Sequence, residues 1–417
     1  MKFLKGDLIG ESTVLFMLNM LASILNYVCQ LLMAQVLSVE SFGTVNTIFS
    51  FMLIVSVPGT ALTMTASKYY AQLPQDCQDS EKTGFIVRVF RYVTFSGVVF
   101  FVLCIAAMHP LSQILSIVDA AVLILMFVLS ALSLYQPLYA GVFAGNKQFL
   151  TVGLYALTIP VYKIISIIAA KVLFVDDWQR LYTILAVMIV GTVLTASLGH
   201  YGAKRVLGKF SILQRSEYSM KITTKSINIL ILNICLMVYM NIDLFSVRYY
   251  GGEGESGLYS SALLFGRVIY YFATTLGTIL LPLVAAKQNK REQQIRMFHK
   301  MMGLLLIFMA VCIGFFNVGG GFLIKLLYGS GYMGAQPYVK YVSLISAALS
   351  ICTVLVNYLV GVDRTRFAAC SMTAINGIIF ALIILESDIR VILTGIGMIG
   401  MGGALLIYLF SVFKKDQ

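Results

Sequence analysis

Residues 119–143 read DAAVLILMFVLSALSLYQPLYAGVF, and after Asp119 no acidic, basic or histidine side chain occurs until Lys147. An α-helix advances about 1.5 Å per residue, so about 20 apolar residues carry it across the hydrocarbon core of a bilayer. A run this long and this pure predicts a membrane-spanning helix. Working outward, comparable runs occupy roughly 12–37, 42–66, 85–107, 150–174, 180–203, 226–248, 257–286, 300–320, 335–360, 367–385 and 390–412. The chain of 417 residues is 59% hydrophobic and only 12% charged, and its charges collect in the gaps between these runs. Backbone in lipid must satisfy its own hydrogen bonds, and the alternating pattern of a membrane barrel is absent. The expected fold class is therefore an all-α membrane protein of about twelve transmembrane helices.

Orientation follows from the Lys and Arg residues. With the N-terminus inside, most of the 30 basic residues fall on the cytoplasmic side. The outer side holds only Lys171, Arg180, Arg248, Lys325 and Arg390, while Lys163, Arg267 and Lys340 fall within runs. This bias puts both termini in the cytoplasm. It also accounts for the net charge of +12, which reads as topology signals facing anionic lipid and argues against nucleic acid as a partner. The opening run to Leu37 is too long for a secretory signal and reads as the first retained span. The seven cysteines form no CxxC pair, so neither a disulfide framework nor a metal site is expected.

A faint duplication runs through the chain. Ser41-Phe42-Gly43 opens the second run and Glu255-Ser256-Gly257 the eighth. At nearly the same separation, Gly145–Phe149 and Gly361–Phe367 divide the fourth from the fifth run and the tenth from the eleventh. Six spans repeated would give two lobes of one orientation, 1–203 and 226–417, joined by a cytoplasmic linker at 204–225. Parallel repeats of this kind place a substrate site near the midplane between the lobes.

Charges at depth are the first candidates for that site. A cation near the bilayer centre costs about 2.5–3.5 kcal/mol on insertion scales, so it normally faces protein or water. Arg267 and Lys163 lie well inside their runs, and each either lines a cavity or is ion-paired; Asp243 is the acid that would neutralise Arg267. Arg88 and Arg91, one turn apart near the inner end of the third run, either snorkel to headgroups or line the same route. In the first run Ser12, Asn19, Ser23, Asn26 and Gln30 share one helix face, and Ser260, Arg267, Tyr271, Thr274 and Thr278 repeat that spacing in the eighth. Such stripes either glue helices together or line a hydrated groove. The literal GxGxxG at Gly395–Gly400 sits inside the last run with no preceding strand, which points to close helix packing and not to a nucleotide.

Two patches resemble a known family. The stretch from Ala34 (AQVLSVESFGTVNTIFSFMLIVSVPGTALTMTASKYYA) is similar to the opening of bacterial polysaccharide exporters. The segment Asn241 to Ala286, with Asp243, Gly257-Leu258-Tyr259, Arg267 and Leu280-Leu281-Pro282, resembles their seventh and eighth spans. These are the Wzx-type oligosaccharide flippases of the multidrug/oligosaccharidyl-lipid/polysaccharide superfamily. The resemblance implies two six-helix lobes related by a pseudo-two-fold axis around a V-shaped central cavity, in the bacterial cytoplasmic membrane. It implies as cargo a polyprenyl-diphosphate-linked oligosaccharide, moved from the inner to the outer leaflet, with polysaccharide polymerase machinery as a further partner.

On that reading Arg267 and Lys163 hold the diphosphate and Arg88 and Arg91 capture it. Asn19, Asn26, Gln30 and Tyr271 contact the substrate, and Asp243 or Glu11 relays a coupling H⁺ or Na⁺. No cofactor and no enzymatic activity are expected, because the outer loops are short. The alternative is a cation-coupled multidrug efflux antiporter, which needs buried carboxylates where this chain mostly offers cations.

Overall fold

A computed structural model describes residues 3–72, 79–208, 224–285 and 291–413. Among them every regular element is helical: α1 Phe3–Val36, α2 Val39–Val55, α3 Val57–Gln72, α4 Asp79–Ala106, α5 Met108–Leu115, α6 Ala120–Ser133, α7 Tyr135–Gly145, α8 Phe149–Leu173, α9 Asp177–Leu207, α10 Thr224–Ala285, α11 Arg291–Tyr328, a 3-10 segment Ser330–Tyr338, α12 Val339–Gly361, α13 Thr365–Leu385 and α14 Ile389–Phe413. Among the described residues ten stretches are long and apolar enough to cross a membrane, and α2 is a shorter apolar helix. Large apolar side chains such as Phe95, Val318 and Phe322 stand exposed along their outsides, as lipid-facing surfaces require. The chain is a multi-pass membrane protein.

Proline accounts for most departures from one helix per run. A proline ring clashes with the carbonyl four residues earlier. Accordingly α4 ends at Ala106, four before Pro110, α6 at Ser133, four before Pro137, and α2 at Val55, next to the residue four before Pro58. The second and fourth runs are therefore each two helices in succession. Pro160 and Pro282 depart from this, lying inside α8 and the last turns of α10 without interrupting them. The seventh and eighth runs form the two arms of α10, folded at Gly252, whose φ of 76° and ψ of −160° belong to a backbone region that glycine tolerates.

The chain packs as two compact units. The first comprises residues 1–41 and 51–221, in which α1 lies along α8, α8 along α9, and α3 along α7. Glycines allow these approaches: a Cβ at Gly153 would meet Leu18, and one at Gly191 would meet Tyr162. The core of this unit gathers Phe85, Leu138, Tyr139 and Phe143, with Tyr69 stacked on Phe85 at 4.5 Å.

The second unit comprises residues 42–50 and 222–417. Its centre is α12, buried over most of its length against α10 and α14. Gly266 and Gly277 of α10 admit Ser346 and Asn357 of α12. Gly395, Gly397 and Gly400 of α14 face Leu382, Leu344 and Tyr239, so the GxGxxG stretch is filled by neighbouring side chains. The early turns of α2 pack here too, with Phe42 between Tyr328 and Tyr332 at 6.1 and 5.8 Å. Of the expected linker 204–225, the first residues continue α9 to Leu207, and 209–223 lie outside the described residues.

Candidate functional site

The candidate residues fall into one set in each unit. In the first, Lys163 on α8 is half-buried and its Nζ donates to Oδ1 of Asn26 on α1, 3.2 Å away. The Asn26 amide is oriented for this by its own helix, its Nδ2 donating to the carbonyl of Ala22 at 3.0 Å. Cys29, one turn further along α1, points at α8 as well, its thiol 3.5 Å from the carbonyl of Pro160. The polar stripe of α1 therefore does two things. Asn26 joins α1 to α8 and carries an ammonium, while Asn19 and Ser23 are exposed, Ser23 bonding the Asn19 carbonyl at 3.0 Å. Gln30 is half-buried. Arg88 on α4 is half-buried with its guanidinium 5.9 Å from the centre of the Tyr92 ring, and Arg91 is exposed. Glu11 falls on α1, and its side chain lies outside the described residues, as does that of Ser12.

In the second unit the hairpin of α10 brings residues far apart in sequence together. Asp243 is buried at 2% exposure. Its Oδ2 accepts from the Tyr259 hydroxyl at 2.6 Å, and its Oδ1 from the amide of Leu244 at 2.8 Å. Closer to the fold, Arg248 is completely buried and bonds Glu253 at 2.8 Å and the Ser256 hydroxyl at 3.2 Å. Of the two alternatives for Arg267, the ion pair with Asp243 does not form among the described residues. Arg267 acts on Asp243 through space, but the carboxylate is engaged by Tyr259. Among the described residues, no ion pair forms on the half-buried Arg267. From Arg267 towards the end of α10 the stripe opens: Tyr271 is 54% exposed, and Thr278 is exposed too. The threonine hydroxyls of this stripe bond carbonyls of their own helix, Thr274 to Tyr271 and Thr278 to Thr275, each at 2.8 Å.

Sequence reasoning missed two partners. Arg248 reads as an outer-side charge, yet among the described residues it is the largest fully buried side chain. Tyr259 enters the sequence reading only as part of the Gly257-Leu258-Tyr259 resemblance, yet it holds Asp243. The signal was present in the glycine pair Gly251-Gly252, which lies midway between positions 243 and 259 and so places them opposite one another once the chain reverses there. Chemically, the arrangement offers an ammonium steadied by a neutral amide in one unit. In the other it offers a guanidinium with open hydrogen-bonding capacity beside a hydroxyl-bonded carboxylate.

No protein-family model matches the chain, and no curated protein does. Solved structures do match over nearly the whole length. An inward-facing multidrug resistance MATE family transporter of the MOP superfamily superposes with a TM-score of 0.72 at 11% identity, covering 94% of each chain. The lipid II flippase MurJ, in an inward closed conformation, also gives 0.72, at 15% identity over 96% of this chain and 88% of its own. A MOP superfamily transporter from Pyrococcus furiosus, whose binding pocket is described as reversed in polarity, gives 0.65 at 12% identity over 98% and 96%. The fold is the one these proteins share.

Proposed function

We propose that this chain, folded like known transporters and a lipid flippase, moves a lipid-linked, anionic oligosaccharide from the inner to the outer leaflet by alternating access. The observation that carries this reading is Arg267: a guanidinium within a membrane span, with its nearest expected acid bonded elsewhere. Such a group is costly to insert unless it meets water or an anion, and its forked donors match two phosphate oxygens. Lys163, positioned by Asn26, supplies a second cation, and Arg88 and Arg91 serve as the capture point at the inner leaflet. Exposed amides and hydroxyls, among them Asn19 and Tyr271, together with Gln30, suit sugar hydroxyls. The glycan is destined for a cell-surface polymer built by polymerase machinery, and the membrane is the bacterial cytoplasmic one with both termini inside.

Arg267→Ala tests the reading directly. A protein that inserts normally should lose export, measured as lipid-linked sugar retained on the inner leaflet; wild-type export by this variant would reject the role of Arg267.

A second reading, a cation-coupled multidrug antiporter, is favoured by the fully buried carboxylate of Asp243 and by the likeness to MATE transporters. Deleting the protein separates the two. The flippase predicts accumulation of a lipid-linked sugar, the antiporter new sensitivity to cationic dyes. In either case Asp243 is the candidate ion relay, with Glu11 as the second. Transport indifferent to both proton and sodium gradients would remove that assignment.

A further inference from the structure

The start of α11 carries a basic groove that the transport reading does not use. A shallow, largely open depression of about 530 Å³ lies along one face of α11, lined by Glu292, Ile295, Arg296, His299 and Lys300. Arg296 and Lys300 are exposed one turn apart, and among the described residues neither makes an ion pair. His299 is fixed, its Nε2 lying 2.9 Å from the Tyr408 hydroxyl of α14, and the neighbouring Phe298 stacks on the same Tyr408 ring at 6.0 Å. One wall is thus rigid and aromatic, while two flexible cations reach into solvent.

Beyond Lys300 the same helix face changes character. Leu304, Ile307, Val311 and Phe315 follow at steps of four, three, four and four, which keeps them on one stripe with Arg296 and Lys300. They are exposed by 49, 67, 66 and 59%. In a membrane-spanning chain such a stripe must face acyl chains. Two cations at one end of an exposed apolar stripe mirror a phospholipid with a negatively charged headgroup. A zwitterionic headgroup would bring its own ammonium up against the same cations.

We infer that this groove binds the headgroup of an anionic phospholipid, with Arg296 and Lys300 on the phosphate oxygens and an acyl chain along Leu304 to Phe315. Glu292 on the rim repels the anion and limits how tightly it is held.

The test uses the full chain in nanodiscs. Trp178 is the single tryptophan, so Trp178→Phe with Ile295→Trp places one reporter in the groove. Brominated phosphatidylglycerol should quench it several-fold more effectively than brominated phosphatidylcholine at equal mole fraction, since each nearby basic group contributes roughly a fivefold preference for anionic lipid. Arg296→Gln with Lys300→Gln should equalise the two lipids, and Glu292→Gln should widen the difference. Equal quenching with both cations intact would overturn the site. Loss of the preference on adding inorganic phosphate, but not on adding sodium chloride to the same ionic strength, would assign the groove to a free anion and overturn the lipid. If the double variant does not insert, a salt titration of the reporter protein decides: the preference must fall as salt rises, and one insensitive to salt overturns the inference.

Discussion

Arg248 has no exposure to solvent and contacts Glu253 and Ser256, so its charge belongs to the interior of the α10 hairpin. Removing one partner of a buried pair strands the other, although Glu253 at 37% exposure keeps some access to water. Arg248→Ala should therefore destabilise the protein by about 2–3 kcal/mol, read as a lowered melting temperature in detergent, with Arg248→Lys recovering part of it. Asp119 shows the opposite environment, at an exposed helix start. It caps α6 through the amides of Ala121 and Val122 at 2.8 and 3.4 Å and also accepts the Tyr182 hydroxyl. The Tyr182 hydrogen bond foremost, and then the two amides, hold its carboxyl below the ordinary carboxylate range. Because the folded value lies below the unfolded one, the stabilisation is complete above about pH 4 and is lost as pH falls through the folded value. Asp119→Asn still caps the helix but has no proton to take up. Thermal scans from pH 7 to pH 3 should show the gap between wild type and variant closing on acidification. Several of these roles were legible residue by residue. Asp243 and Lys163 stand out as charges inside apolar runs and Asn26 as part of a polar stripe, but that Tyr259 meets Asp243 and Asn26 meets Lys163 depends on what lies opposite them.

At the scale of elements, α10 shows how a local rule is set aside for a global shape. Its two arms read as separate spans, and the hinge between them is one glycine at φ 76°. Gly252→Ala forces a side chain into that backbone region at a cost of about 1–3 kcal/mol. Nothing lies within 4 Å of the added Cβ, so the loss should come from backbone strain alone. It should appear as a lower melting temperature without a change in the packing of Asp243 against Tyr259. The prolines act in the same local way, ending α4 and α6 four residues upstream and α2 next to that position. These breaks were readable in principle, since Pro58, Pro110 and Pro137 are visible in the sequence. Hydropathy alone runs past them, because it measures how apolar a segment is and not whether its hydrogen bonds are continuous.

For the whole molecule, the placing of basic residues predicts sidedness, which is open to a simple check. A reporter fused after Lys147 should stay in the cytoplasm, and one fused after Val175, at the far end of α8, should be translocated. The reverse result would invert the proposed direction of transport. Membrane insertion as helices and the two α10 arms followed from composition, because a bilayer admits few ways to satisfy a backbone and each leaves a long apolar signature. The placing of α2 did not follow. Phe42 and Gly43 read as the start of an ordinary second span, yet these turns pack into the unit built from the far half of the chain.

Length, hydropathy and charge placement thus determined by themselves that the chain spans a membrane repeatedly as helices, because each of these depends only on residues close together in sequence. Tertiary structure alone decided which charges within the spans meet which partners: Lys163 with Asn26, Asp243 with Tyr259, Arg248 with Glu253 and Ser256. Pairing within such a fold depends on which helix faces approach one another. Glycines, prolines and shape complementarity set those approaches across the whole chain, and no single run of residues records the outcome.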